Sequence, residues 1–286
     1  MARYSDFASS DEAVLVETDD FALVYDKQNR AFRKKRWSSS TKSWSDGWRA
    51  PYSAIVCKDD STVWAEDSSG KTIALGEAGV DDASVVQSAV TAISEGEIFM
   101  RKGTYKITQK ISCPAGIFFE SEGAELDLSN LNDVAFEFGS DAETADLKLT
   151  GMRNFKVSAS SANSNTLLVK ASQIKRGFLL EKIMHKDLNN LVEIRGMCYD
   201  ATIRDCFGYD LKGVWIKLVT LDIDGVVYKP NAAEIINCEL SNSWSNPSGT
   251  GIEIYSSNED TSTSGAVGTI KIHNCCLLYT SPSPRD

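Results

Sequence analysis

The sequence contains only two histidines, six prolines and no long apolar run. Two histidines, His185 and His273, are too few for a histidine-based zinc cluster, and we expect no metal and no cofactor. A membrane-spanning helix needs about 18 or more apolar residues in a row, and no segment approaches that length. The first residues also lack the apolar stretch of a signal peptide. We therefore expect synthesis in the cytoplasm without an export signal, and no membrane partner.

Cysteines are present, but they lack the short paired spacings of zinc sites. Three of the seven recur in one frame, in which a hydrophobic residue, a variable residue and Asn or Asp precede the cysteine. The copies are Ile203-Arg204-Asp205-Cys206, Ile235-Ile236-Asn237-Cys238 and Ile272-His273-Asn274-Cys275, at intervals of 32 and 37 residues. Such a repeat indicates a solenoid, in which one structural position recurs on successive coils. An interior packing column, a disulfide and a metal site are the alternatives for these cysteines, and the packing column is favoured because free cysteine is commonly buried.

A second pattern places apolar residues at alternate positions in segments 134–138, 166–169, 191–194, 213–218 and 251–254. A period of two predicts β-strands with one face toward a core. The strand cores are alike, whereas the intervals between them vary from 22 to 38 residues. A leucine-rich repeat would need leucines at fixed offsets in units of nearly constant length. The pattern therefore predicts an all-β fold, a single-stranded parallel β-helix.

The charge is uneven along the chain. The net charge is −10, yet residues 27–49 carry eight Lys or Arg against one Asp, which leaves 22 basic and 39 acidic residues elsewhere, near −17. An acidic body disfavours nucleic acid as a partner. The basic cluster, which includes Trp37, Trp44 and Trp48, suits a nucleic-acid arm, a docking segment or a small sheet with a tryptophan core. We predict a separate β module at residues 1–50 and a β-meander neck at residues 51–80.

One amphipathic helix is predicted between the neck and the coils. Asp81 or Asp82 offers an N-cap, and an apolar face follows from Val85 to Ile93. An open first coil exposes apolar interior and unpaired backbone, so a helix at this point is expected to cap it. The predicted capped β-helix spans residues 81–275. Residues 276–286 resemble one reading frame of a sequencing adapter, so we expect them to be a non-native tail and the helix to be truncated.

The opening of the predicted β-helix resembles a known superfamily. Segments 82–93, 103–107 and 116–126 together are similar to the start of the pectate-lyase-like right-handed parallel β-helix superfamily, in the subgroup of tail spikes and other viral appendages. The resemblance is specific over residues 81–128 and architectural beyond them. It implies a right-handed helix and a polysaccharide or cell-surface glycan as ligand. It also implies a virion or extracellular location after release, virion attachment through residues 1–50, and a homotrimer.

The superfamily contains lyases, hydrolases and non-catalytic adhesins, so the resemblance implies no reaction. The motifs of polygalacturonase-type members are absent, and Trp215-Ile216-Lys217 lacks the arginine of their Arg-Ile-Lys motif. Glu193, Lys217 and Glu253 are the remaining catalytic candidates, because alternation predicts that they point outward. Two carboxylates about 5 to 9.5 Å apart could act as acid and base on a sugar. A surface ladder of charges is the alternative and is favoured.

Trp215 and Trp244 are the predicted carbohydrate-binding residues, because alternation places Trp215 outward and Trp244 lies on a neighbouring loop. An outward indole can stack on a sugar ring, and a tryptophan covered by that same loop is the alternative. The sequence thus favours a carbohydrate-interacting receptor-binding or structural appendage of tail-spike type. A polysaccharide lyase or glycoside hydrolase is the alternative function, and a nucleic-acid-binding protein is disfavoured.

Overall fold

The computed structural model describes residues 52–142, 148–160, 165–242, 250–255 and 267–278, together with the backbone of four strands nearer the N-terminus. These four strands are Ala13–Thr18 (β1), Phe21–Asp26 (β2), Ala31–Ser38 (β3) and Ser43–Asp46 (β4). They pair antiparallel in chain order, with Trp37 opposite Trp44. Trp48 and Trp244 lie outside the described residues.

The predicted neck consists of three antiparallel strands, Ala54–Lys58 (β5), Thr62–Asp67 (β6) and Thr72–Glu77 (β7). Aspartates shape its turns: the Asp59 carboxylate accepts hydrogen bonds from the backbone N–H groups of Ser61 and Thr62, at 2.9 and 2.7 Å. β5 also pairs in parallel with the first strand of the coils. The neck is therefore continuous with the sheet that follows.

Helix α1, Asp82–Ala92, lies where the sequence predicts the cap. Its buried face includes Val85, Val86 and Ala89, and it packs against the neck and the first coil strands. Of the two predicted N-cap candidates, Asp81 occupies the N-cap position but makes no side-chain cap hydrogen bond, and Asp82 is the first helical residue.

The Asp82 carboxylate is fully buried and ties the helix to the coils. It accepts hydrogen bonds from Lys58 Nζ at 2.6 Å, from the Lys106 N–H at 2.7 Å and from the Gly79 N–H at 2.9 Å. Three donors of this kind replace the lost hydration of a buried carboxylate. Asp82 thus acts as a tertiary anchor between neck, helix and coil.

The remaining strands form parallel sheets. In chain order they are Gly96–Met100 (β8), Thr104–Lys106 (β9), Ile111–Cys113 (β10), Ile117–Ser121 (β11), Glu125–Asp127 (β12), Val134–Gly139 (β13), Thr150–Ser158 (β14), Leu167–Ser172 (β15), Phe178–Lys186 (β16), Asn190–Arg195 (β17), Thr202–Arg204 (β18), Phe207–Leu211 (β19), Val214–Val219 (β20), Leu221–Ile223 (β21), Val226–Tyr228 (β22), Ala233–Ile236 (β23), Glu239–Asn242 (β24), Thr250–Tyr255 (β25), Ile270–His273 (β26) and Cys276–Leu278 (β27). β21 and β22 form an antiparallel hairpin.

The first sheet has the strand order β10-β13-β15-β17-β20-β25. The second sheet bends at a corner. Its row before the corner runs β8-β11-β14-β16-β18-β23-β26, and its row after the corner runs β9-β12-β14-β16-β19-β24-β27. We call a coil the stretch of chain that adds one strand to each row. This mostly-β arrangement of parallel sheets is consistent with a β-helix. The right-handed winding of the coils and the closure of each coil remain predictions.

The corner explains the repeated cysteine frame. One residue per coil has left-handed backbone there: Asn154, Lys182, Asp205, Asn237 and Asn274, with φ between 51° and 65°. Apart from glycine, Asn and Asp are the residues that tolerate this conformation best. The frame therefore has two further copies, 152–155 and 180–183, in which a different residue type occupies the cysteine position.

The residue after each corner points into the core. Cys206 and Cys238 are buried free thiols, which confirms the predicted packing column for these two positions. Cys275 continues the column and is partly exposed. Each thiol donates to the carbonyl two residues earlier, Cys238 to Ile236 at 3.3 Å for example. The adjoining Cys276–Leu278 pairs with β24, so part of the predicted tail takes part in the sheet.

Candidate functional site

The predicted catalytic residues lie in a ladder of alternating charge on the first sheet. Register pairs Glu137 with Lys170, Lys170 with Glu193, Glu193 with Lys217, and Lys217 with Glu253. Lys170 Nζ lies 2.7 Å from Glu137 Oε1, and Lys217 Nζ lies 3.9 Å from Glu253 Oε1. All five side chains are partly exposed. The structure therefore brings the three candidates together outside the core.

The ladder suits ion pairing better than acid–base catalysis. Glu193 contacts Arg195, whose Nε lies 3.3 Å from Glu193 Oε1. Glu193 and Glu253 are two coils apart, about 9.6 Å at the spacing of adjacent strands and at the outer limit for paired carboxylates. Burial raises the pKa of Glu137, but hydrogen bonds from Lys110 and Lys170 outweigh that effect and hold the pKa below its ordinary value. A general acid needs the opposite shift.

A groove of about 210 Å³ runs beside the ladder. Its lining includes Asn190, Glu193 and Lys217 together with apolar side chains of the same sheet. Small-molecule sites usually enclose about 300–1,000 Å³, so the groove is small. The Asn190 amide is already engaged, since its Oδ1 accepts from the Val214 N–H at 2.8 Å and its Nδ2 donates to the Thr166 carbonyl at 3.3 Å. The groove thus offers few unsatisfied polar groups to a ligand.

Trp215 is fully buried, so the prediction of an outward indole is wrong. Strict alternation fails in β13, β15, β17 and β20 of this sheet, because the second and third residues of these strands are both buried. Trp215 occupies the second position, as Leu191 and Leu168 do in the two preceding coils, and both leucines are also fully buried. A side chain without exposed surface cannot stack on a glycan. Trp244 lies outside the described residues, so its predicted role stays untested.

A second ladder of alternating charge crosses the row before the corner. Glu120 pairs with Arg153, Arg153 with Glu181, and Glu181 with Arg204. The Arg153 guanidinium lies 2.6 Å from Glu120, and the Arg204 guanidinium lies 3.1 Å from Glu181. The carboxylates are again matched with cations. Glu120 and Glu181 are two coils apart with the Arg153 guanidinium between them, so this ladder resembles the first.

The row after the corner carries an exposed apolar surface that the sequence analysis missed. Met184 is 49% exposed, Phe207 44% and Tyr209 51%. Met184 is the register partner of Phe207, and Lys186 is that of Tyr209. We call Met184, Phe207 and Tyr209 the apolar strip. Side chains alternate between the two faces of a strand, so residues 207 and 209 must face outward when Cys206 faces the core. The repeated cysteine frame could therefore have predicted their exposure.

The apolar strip can bind a flat, partly apolar partner. Its three side chains lie on two adjacent strands of a sheet, so their backbone positions are fixed before any ligand arrives. Aromatic rings there can bury apolar ligand surface, and the Tyr209 hydroxyl can also form a hydrogen bond. Exposed apolar groups on neighbouring strands are typical of interaction sites.

The described residues show neither a metal cluster nor a membrane helix. Across the described ranges, no three His, Cys, Asp or Glu side chains come together in a way that could hold a metal ion. Within the same part of the chain, no helix combines the length and apolarity that crossing a bilayer requires.

No protein-family model matches the sequence, and no curated protein matches it. A solved structure of Geobacillus virus E2 ORF18 is similar, with a TM-score of 0.50 and 16% identity over 95% of this chain and 59% of that chain. The chain thus spans less than two thirds of the viral protein. At this identity the likeness concerns the fold alone.

Two other solved structures align at lower TM-scores. One is a Parabacteroides merdae protein described as a glycosyl hydrolase, with a TM-score of 0.34 and 11% identity over 68% of this chain and 90% of that chain. The other is the mannuronan C-5 epimerase A-module of Azotobacter vinelandii, with a TM-score of 0.26 and 11% identity over 73% of this chain and 96% of that chain. Scores below 0.5 support no conclusion about this chain.

Proposed function

We propose that this protein is a viral, tail-spike-like appendage that binds a polysaccharide or cell-surface glycan through the apolar strip. The exposure of Phe207 and Tyr209 on one strand is the observation that carries the proposal. The C–H faces of pyranose rings are apolar, and aromatic side chains bury such faces at about 25 cal/mol per Å². Trp215 has no part in this site.

The viral setting of the proposal is supported by the fold shared with a viral protein over most of this chain. In this role, residues 1–50 attach to the virion, and the appendage is a homotrimer displayed on a released particle. The antiparallel sheet of β1 to β4 supports a separate attachment module, because it pairs with none of the described coil strands.

Binding without cleavage is the function that the described carboxylates favour. Glu193 and Glu253 belong to a ladder in which each has a basic neighbour. A lyase or hydrolase needs an acid and a base that are free to act on the substrate, and the ladder places each of these carboxylates beside a cation instead. A polysaccharide-cleaving enzyme is the alternative that the test must distinguish.

The test measures glycan binding and depolymerisation with variants of the strip. We expect Phe207→Ala with Tyr209→Ala to weaken binding to an array of bacterial surface polysaccharides by about tenfold or more, at an unchanged melting temperature. Leu75→Ala is the matched control, because Leu75 is 70% exposed in the neck. Unchanged binding by the double variant would overturn the site, and turnover that disappears with Glu193→Gln would establish the enzyme.

A further inference from the structure

Three lysines surround Met184, the first residue of the apolar strip. Lys186 lies two residues after Met184 in β16, on the same side of the strand, and Lys182 lies two residues before Met184 at the left-handed corner. All three side chains are exposed. Lys156 is the register partner of Met184 in the preceding coil and is also exposed. Adjacent strands lie about 4.8 Å apart, and residues two apart in a regular strand, as Met184 and Lys186 are, lie about 6.6 Å apart. Lys156 and Lys186 therefore border one end of the strip, and Lys182 lies at the corner next to that end.

These lysines differ from several other lysines of the coils. Lys110, Lys170, Lys217 and Lys271 each lie within 4.0 Å of a carboxylate. Within the described ranges, Lys156, Lys182 and Lys186 have neither an ion pair nor a side-chain hydrogen bond. Three unneutralised cations in a chain of net charge −10 form a local exception to its acidic character.

The opposite end of the strip is acidic. Glu239 is the register partner of Phe207 in the next coil, and its side chain is exposed. Along this row, Glu125 precedes the positive Lys156 by one coil, the apolar Met184 and Phe207 follow Lys156, and the negative Glu239 comes next. A ligand lying on the aromatic rings meets cations on one side only.

We propose that the glycan bound at the apolar strip is acidic, with an anionic group held by Lys156, Lys182 and Lys186 next to a sugar ring on Phe207 and Tyr209. This inference rests on the proposed glycan-binding function. The rings supply contact with the apolar sugar face, and the lysines supply charge complementarity. Nucleic acid is the other polyanion that aromatic and basic side chains can bind, and an oligonucleotide probe distinguishes it below.

Carboxymethyl dextran and unmodified dextran form a suitable probe pair, because they share one backbone and differ in charge. We expect the wild-type protein to bind the carboxymethyl form more tightly, with a preference that falls as salt rises. Lys156→Gln with Lys186→Gln is expected to reduce that preference by about fivefold or more and to leave binding of neutral glycans unchanged. Lys71→Gln with Lys102→Gln is the matched control, since both side chains are exposed and lie outside the strip.

Glu239→Gln gives an independent readout, because removal of the negative end is expected to strengthen binding of the acidic probe. Equal wild-type binding of both dextrans, or an equal loss in the Lys71 and Lys102 control, would overturn the acidic assignment alone. Tighter binding of a single-stranded oligonucleotide than of the acidic dextran would overturn it in favour of nucleic acid. If no glycan in the array or probe pair binds, the proposed function itself fails.

Discussion

The imidazole of His185 packs directly on the backbone of Gly208 in the next coil. A Cβ atom built at Gly208 would lie 1.9 Å from His185 Cε1 and 2.0 Å from Nε2. His185 is buried, and neither ring nitrogen has a hydrogen-bond partner among the described residues. The two residues follow one another in the interior column directly beneath the apolar strip.

Gly208→Ala is expected to destabilise the protein, because the new methyl group would overlap a buried ring that has little room to move. Overpacking of this kind costs about 1–3 kcal/mol. Chemical denaturation measures the loss, and His185→Ala in the same chain is expected to recover part of it. Gly103→Ala is the control, since its nearest contact would be an ordinary 3.5 Å. Equal stability of the two single variants would contradict the packing.

His185 is expected to make stability fall in acid. Burial lowers its pKa from the ordinary 6.5 to about 3, so between these values the unfolded state binds the proton that the folded state excludes. The loss of folding free energy that His185 causes is absent above pH 6.5. It grows by about 1.4 kcal/mol per pH unit as the pH falls from 6.5 toward 3. Denaturation of His185→Leu at pH 7 and pH 4 should show a smaller acid loss than wild type. His273→Gln, at an exposed position, is the control, and identical slopes for wild type and His185→Leu would rule the effect out.

Asp82→Ala is expected to destabilise the helix cap by about 3 kcal/mol. The change leaves the Lys58 ammonium, whose side chain is 12% exposed, without its carboxylate, and it removes acceptors for two backbone N–H groups. Asp60→Ala, at an exposed turn, is the matched control. Melting temperatures of the two variants decide the matter, and similar values would show that Asp82 is no anchor.

Lys182→Asn is expected to stabilise the protein by about 1 kcal/mol. Lys182 has φ of 51° at the corner, and Asn tolerates left-handed backbone better than Lys does. Neighbouring coils already place Asn154 and Asp205 in this conformation. Lys186→Asn, in the same strand, should bring no gain. A lower free energy of unfolding for Lys182→Asn would contradict the conformational argument.

Trp215→Ala is expected to cost about 3–5 kcal/mol of stability, because it leaves a large cavity in the core. Glycan binding per folded molecule should not change, since the indole has no exposed surface. Glu193→Gln, on the ladder, should change stability by about 1 kcal/mol or less. A folded Trp215→Ala protein with weaker glycan binding would return the site to Trp215.

Local sequence predicted the strands, the cap helix and the cysteine column because each depends on period or on one backbone conformation. The Asn or Asp before each cysteine marks the left-handed corner, so the frame identified real structural equivalence. The same frame could have located Phe207 and Tyr209, which follow the buried Cys206 at outward positions. The alternation that begins at Cys206 continues through β19 and predicts the exposed surface there.

The orientation of Trp215 and the anchoring role of Asp82 could not be predicted in this way. Two consecutive residues are buried near the start of the four central strands of the first sheet, and a two-residue period cannot represent that arrangement. Asp82 finds Lys58 and Lys106 through contacts 24 residues away in either direction. Such partners depend on how the neck and first coil fold together, and no local pattern encodes them.

The two charge ladders have a consequence for how the chain winds. A coil could in principle be skipped during folding, so that two non-consecutive coils pair, because the apolar interiors of the coils are similar. Skipping the coil of Arg153 and Lys170 would place Glu137 opposite Glu193 in the first sheet and Glu120 opposite Glu181 in the second. Skipping the coil of Glu193 would place Lys170 opposite Lys217. Like charges directly opposite are unfavourable, so both rows would resist the same error. The surface charges thereby favour the correct order of coils, which the similar apolar interiors alone do not specify.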